Sequence, residues 1–122
     1  MTEEGRRSKR VAERIRATLA VQLTRDLADP SLAGLVITDV SVPDDLAVAR
    51  VSVRLLVGDS PSARRRVVDH LQRACGRLRR AIGPELGLRR MPELRFLYDD
   101  GIDATKHVES ILAEIKRESG TR

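Results

Sequence analysis

The chain is poor in the side chains that most often announce a chemistry or a compartment. It has no tryptophan, one tyrosine and one phenylalanine, so aromatic residues make up 2% of its 122 positions. That scarcity disfavours a protein that reads single strands by stacking bases on aromatic platforms. A single cysteine, Cys75, excludes an internal disulfide framework and fits a reducing cytoplasm, where the protein is expected to reside. No apolar run approaches the length of a membrane span, and the N-terminal "MTEEGRRSKR" lacks the apolar stretch of a signal peptide. No membrane partner is expected.

Catalytic signatures are missing as well. There is no G-x-S-x-G, P-loop or dinucleotide fingerprint. His70 and His107 lie far apart, with no carboxylate or cysteine at metal-ligand spacing. The acid pairs Asp44-Asp45 and Asp99-Asp100 fall where turns are expected, a setting that suits aspartate through its local hydrogen bonds. The residues therefore predict a protein that is not an enzyme and takes no metal, cofactor or small-molecule substrate.

Charge is present in quantity, and it is segregated. The net charge is +5, with seven bases against three acids in residues 1–25 and nine arginines against Asp69 and Glu85 in residues 61–90. Residues 26–60 carry two bases and six acids, and residues 91–122 carry five and seven. A bland solvated surface mixes the signs, so this separation favours a polyanionic partner.

One domain is expected from the length, with 41% hydrophobic residues to fill its core. Val11, Ile15, Leu19, Leu23 and Leu27 step by four, predicting a helix over 8–28 that ends at Asp29-Pro30. "VITDVSV" (36–42) and "AVARVSVRLL" (47–56) read as strands of an antiparallel hairpin closed by a "PDDL" turn. Ser60 is placed to cap a long helix that begins at Pro61 and stops near Ile82, before Gly83-Pro84. "ELRFLY" (93–98) reads as a third strand, and Val108, Ile111, Leu112 and Ile115 mark a last helix. The order is α-β-β-α-β-α, in which a three-stranded sheet with helices on one face buries every apolar stripe. The expected organisation is a flexible lead at 1–7, one domain at 8–116 and a short tail at 117–122.

The long helix carries the informative feature. Val67, Val68, Leu71, Ala74, Cys75, Leu78 and Ile82 make one apolar face, on which Cys75 reads as a small core residue. Arg65, Arg66, Arg73, Arg77 and Arg80 share the other side with Gly76, and Asp69 is the one acid among them. Like charges this close repel one another, so the arrangement makes sense when an anion neutralises it. A glycine amid them permits a bend or a close approach of phosphate backbone. The expectation is that Gly76 adopts a backbone geometry open mainly to glycine, so that alanine there strains the break.

Several stretches in this order resemble one family. "RVAERIR", "DPSLAGLVITDVSV", "DDLAVARVSV", "ACGRLRRAIG" and "MPELRFLYDD" together make the chain similar to ribosome-binding factor A from about Arg10 to Ile115. The resemblance implies an α+β fold: a single KH-like domain of the second topological type, with an α-β-β-α(kinked)-β core and a C-terminal helix. An ordinary KH domain clamps nucleic-acid backbone with a G-x-x-G loop, and no two glycines here are spaced by three. In the family an alanine-x-glycine kink takes its place, matched here by Ala74, Cys75 and Gly76. After the acidic pair, where the family usually has a serine and then a glycine, this chain has Gly101 and Thr105.

What the resemblance implies is a non-catalytic assembly factor, monomeric, bound to the small ribosomal subunit and its precursor rRNA during late maturation and 5′ end processing. The candidate RNA-binding residues are Arg10, Arg14, Arg65, Arg66, Arg73, Ala74, Cys75, Gly76, Arg77, Arg80, Arg89 and Arg90. The alternative is a DNA-binding regulator whose basic helix enters a major groove.

Overall fold

A computed structural model describes residues 3–26 and 30–100. Helix α1 (Glu3–Asp26) leads through a short 3-10 turn (Pro30–Leu32) into strands β1 (Leu35–Ser41) and β2 (Val48–Leu55). Helices α2 (Pro61–Arg73) and α3 (Cys75–Leu86) then cross to strand β3 (Glu93–Tyr98). The last helix expected around Val108 to Ile115, like Gly101 and Thr105, lies outside the described residues.

The sheet has the order β1-β2-β3, with β1 antiparallel and β3 parallel to the central strand. Alternation along β2 decides which face is covered. Ala49, Val51 and Val53 are fully buried and Leu55 nearly so, while Arg50 and Arg54 are exposed on the opposite side. Leu94 and Phe96 join the buried face from β3. Against it pack Val11, Ile15, Leu19 and Leu23 of α1, Val67 and Leu71 of α2, and Leu78 and Ile82 of α3. Each such side chain contributes about 1.5–3 kcal/mol when fully buried. All three helices thus lie on one face, as the apolar stripes require.

Local chemistry explains most of the boundaries. Ser60 is extended and its hydroxyl accepts from the Ala63 N–H at 3.1 Å, with Pro61 in the first helical turn. The "PDDL" turn closes with a 2.9 Å bond from the Leu46 N–H to the Pro43 carbonyl. Asp45 serves the turn by accepting from the Ala47 N–H, whereas Asp44 accepts from the buried Ser8 hydroxyl of α1.

Two boundaries differ from expectation. Helix α1 already includes residues 3–7, which the sequence pattern assigns to a flexible lead. The apolar stripe starts only at Val11, but polar residues extend the helix and Ser8 ties its first turns to Asp44. At the other end, Gly83-Pro84 does not stop the long helix, for α3 runs through Pro84 to Leu86. Proline removes one helical hydrogen bond there. The extra turn is held by burial of Leu86, by Gly87 in the left-handed conformation as cap, and by Arg14, which donates to the Glu85 carbonyl.

The expected break is present, and the third difference is which residue of the Ala74-Cys75-Gly76 stretch carries it. The break lies at Ala74, whose N–H is shared between the His70 and Leu71 carbonyls at 3.1 Å each. Ala74 also accepts from the Leu78 N–H at 2.9 Å, so one residue ends α2 and starts α3. Gly76 sits inside the first turn of α3 without a positive φ, and a Cβ built on it meets nothing within 4 Å. The expectation that Gly76 needs a geometry open mainly to glycine is therefore corrected.

The break is held from outside the helices. On the α2 side, the Gln72 amide donates to the Leu94 carbonyl at 3.2 Å and accepts from the Phe96 N–H at 3.1 Å. On the α3 side, Arg79 donates to the carbonyls of Pro92 (3.1 Å) and Met91 (2.9 Å). Both arms therefore grip residues 91–96, and the backbone of that segment sets their relative direction.

Two outcomes follow for thermal melts. Gly76→Ala is expected to raise stability, by up to about 1 kcal/mol, because helix propensity improves and no neighbour is displaced. A lower melting temperature would mean that Gly76 is strained after all. Gln72→Ala is expected to cost about 1–3 kcal/mol, because it strands a partly buried N–H and a partly buried carbonyl on β3. A change within a few tenths of a kcal/mol would show that water replaces the amide freely.

Candidate nucleic-acid interface

The arginines of α2 and α3 divide by what they touch. Arg64 is committed to the fold: it makes a two-pronged bond to Asp59 at 2.7 and 2.8 Å and lies 4.8 Å from the centroid of the Tyr98 ring. The Tyr98 hydroxyl donates to Asp59 at 2.9 Å and accepts from the Leu55 N–H at 3.0 Å. The Arg64 guanidinium, assisted by that phenol, holds the Asp59 carboxyl below the usual carboxylate range. Arg79 is committed too, through its bonds to Met91 and Pro92.

Arg65, Arg66, Arg73, Arg77 and Arg80 are not buried, and Gly76 lies exposed between them. Arg73 bends back to the Asp69 carbonyl at 3.3 Å, which leaves most of its donors to solvent. Helical spacing alone separates these five from Arg64 and Arg79, and the structure agrees with that division. Ala74 and Cys75 behave differently from the arginines. Both are partly buried and pack against the core at the break between α2 and α3. Cys75 is a free thiol of intermediate burial, in keeping with a small core residue.

The remaining candidates lie on other elements. Arg89 and Arg90 are exposed in the segment between α3 and β3. Arg10 and Arg14 are exposed on α1, and there they line a cleft with Arg7, Val11, Leu86 and Leu88. Sequence reasoning misses Arg7, because residues 1–7 read as a flexible lead. The signal is available: Arg7, Arg10 and Arg14 stand at helical spacings of three and four.

The arrangement offers charge and shape. Among the described residues no cluster of histidine, cysteine and acidic side chains is placed to hold a metal ion. No described helix is long and apolar enough to cross a membrane.

Comparison with known proteins agrees with this architecture. The model of the ribosome-binding factor A family matches residues 7–112. A ribosome-binding factor A of Sorangium cellulosum is 46% identical over 112 residues, covering 91% of this chain and 90% of the relative. The crystal structure of ribosome-binding factor A from Thermus thermophilus superposes with a TM-score of 0.62 at 27% identity, over 75% of this chain and 94% of the other. A homology model of the Thermus thermophilus factor, fitted into a cryo-EM map of its complex with the 30S subunit, gives 0.51 at 28% identity, over 83% and 96%. With an α+β core of three helices on a three-stranded mixed sheet, and relatives of this kind along nearly its whole length, the chain belongs to the ribosome-binding factor A family.

Proposed function

We propose that the protein is a non-catalytic assembly factor that binds the small ribosomal subunit and its precursor rRNA during late maturation, at the stage of 5′ end processing. The observation that carries this reading is the arginine set on both sides of the Ala74 break, on two arms anchored separately through Gln72 and Arg79. The Thermus relative seen in a 30S complex supports the choice of partner. Five arginines spread over two helical arms suit a folded RNA, whose phosphates lie at varied angles. The bare surface at Gly76 lets a phosphate approach the backbone between them. The protein acts as a monomer in the cytoplasm, with no cofactor.

Sedimentation tests the reading directly. The protein is expected to travel with free or immature small subunits and much less with joined ribosomes or duplex DNA. Equal binding to all of these would overturn an assembly role.

Salt dependence tests the surface. If five arginines each neutralise one phosphate, log affinity falls against log salt with a slope of about −4. Arg73→Ala, Arg77→Ala and Arg80→Ala together are expected to flatten that slope while the melting temperature holds, because none of the three side chains is part of the core. Gly76→Ala is expected to weaken binding in the same titration despite its gain in stability. An unchanged slope in the triple variant would show that these side chains do not meet phosphates.

A further inference from the structure

A second basic feature lies outside the α2–α3 arms. Between α1 and the end of α3 is a cleft of about 250 Å³ lined by Arg7, Arg10, Val11, Arg14, Leu86 and Leu88. Three guanidinium groups rise from successive turns of one helix face, and none of the described acidic side chains lines the cleft. Its floor is aliphatic: Val11 and Leu86 are 7% and 5% exposed, and Leu88 packs partly against the same core. Arg14 is steadied by its bond to the Glu85 carbonyl, which leaves other N–H groups of its fork for the cleft.

Resting on the RNA-binding reading above, we propose that this cleft holds one unpaired nucleotide of the subunit RNA, its phosphates on Arg7 and Arg10 and its base between the Arg14 guanidinium and the leucine floor. The chemistry fits the occupant on each count. Three positive charges with no acid beside them in the cleft call for an anion. An apolar floor is wasted on a bare phosphate but suits the face of a base. Guanidinium planes stack on bases as aromatic rings do, which matters in a chain with two aromatic residues, one of them in the core. The cleft is also too small for a duplex, so the nucleotide must be turned out of its helix.

Fluorescence anisotropy with three RNA hairpins tests this: one with a single bulged adenosine, the same hairpin with an abasic site at the bulge, and a fully paired one. The wild-type protein is expected to bind the bulged hairpin at least about fivefold more tightly than the abasic one. Leu88→Asn is expected to reduce that preference to less than twofold, with the salt slope unchanged. Arg7→Ala with Arg10→Ala is expected to weaken both RNAs and flatten the slope by about 1.4, at about 0.7 per phosphate of a single strand. Equal wild-type affinity for the bulged and abasic hairpins overturns the proposal without any variant. If small subunits still sediment with the protein in that case, the assembly role stands and the cleft is no nucleotide site. Loss of subunit binding in Leu88→Asn without any RNA preference would give the cleft to a protein partner, and also overturns it.

Discussion

Gln72 and Arg79 stand on either side of Ala74, and both reach the main chain of residues 91–96. A helix interrupted at an alanine needs a cause beyond the residue at the break. Here each arm is fastened separately to a common segment. The Gln72 amide matches the spacing of one carbonyl and one N–H along β3, and Arg79 supplies two donors to the turn before it. Parallel pairing of β3 with β2 fixes that segment in turn. The aim of the arginines on the arms is thus set by the sheet on which the arms lie.

The same geometry sorts a basic surface into working and structural charges. Composition treats the nine arginines of residues 61–90 alike. In the fold, Arg64 is engaged by Asp59 and the Tyr98 ring, and Arg79 by backbone carbonyls, while five others on the helices lie outside the core. A guanidinium that satisfies backbone carbonyls replaces a missing hydrogen-bond partner, and one on the surface adds to the electrostatic field. Arg14 does some of each, closing the last turn of α3 while lining the cleft beside it.

Much of this is legible in the residues, and the reasons are physical. Period-four stripes locate α1 and the long helix, alternation locates β2 and β3, and the Ser60-Pro61 pair marks the start of α2. These signals are local. What the sequence conceals is decided by contacts distant along the chain. The helix passes Pro84 because α1 satisfies one of its last carbonyls from 71 residues away. The break falls inside the Ala74-Cys75-Gly76 stretch that the family resemblance marks, but on its alanine and not its glycine, with Gln72 and Arg79 anchored to β3 and the segment before it on either side. Gly76 is the conspicuous residue, but its conformation is that of an ordinary helix. Arg7 is lost to a boundary error, since helices outlast their apolar stripes when polar residues and a contact such as Ser8 to Asp44 sustain them.

The corner where Tyr98 meets Asp59 and Arg64 also gives the molecule an optical property. With no tryptophan and a single tyrosine, nearly all of its near-ultraviolet emission arises from one phenol. That phenol donates to a carboxylate and lies under a guanidinium, two contacts to which a phenol's brightness and spectrum respond. The unlabelled protein therefore carries one phenol as its dominant emitter, seated where β3 ends and α2 begins. Its signal tracks whether the base of the arginine-bearing arm is latched to the sheet.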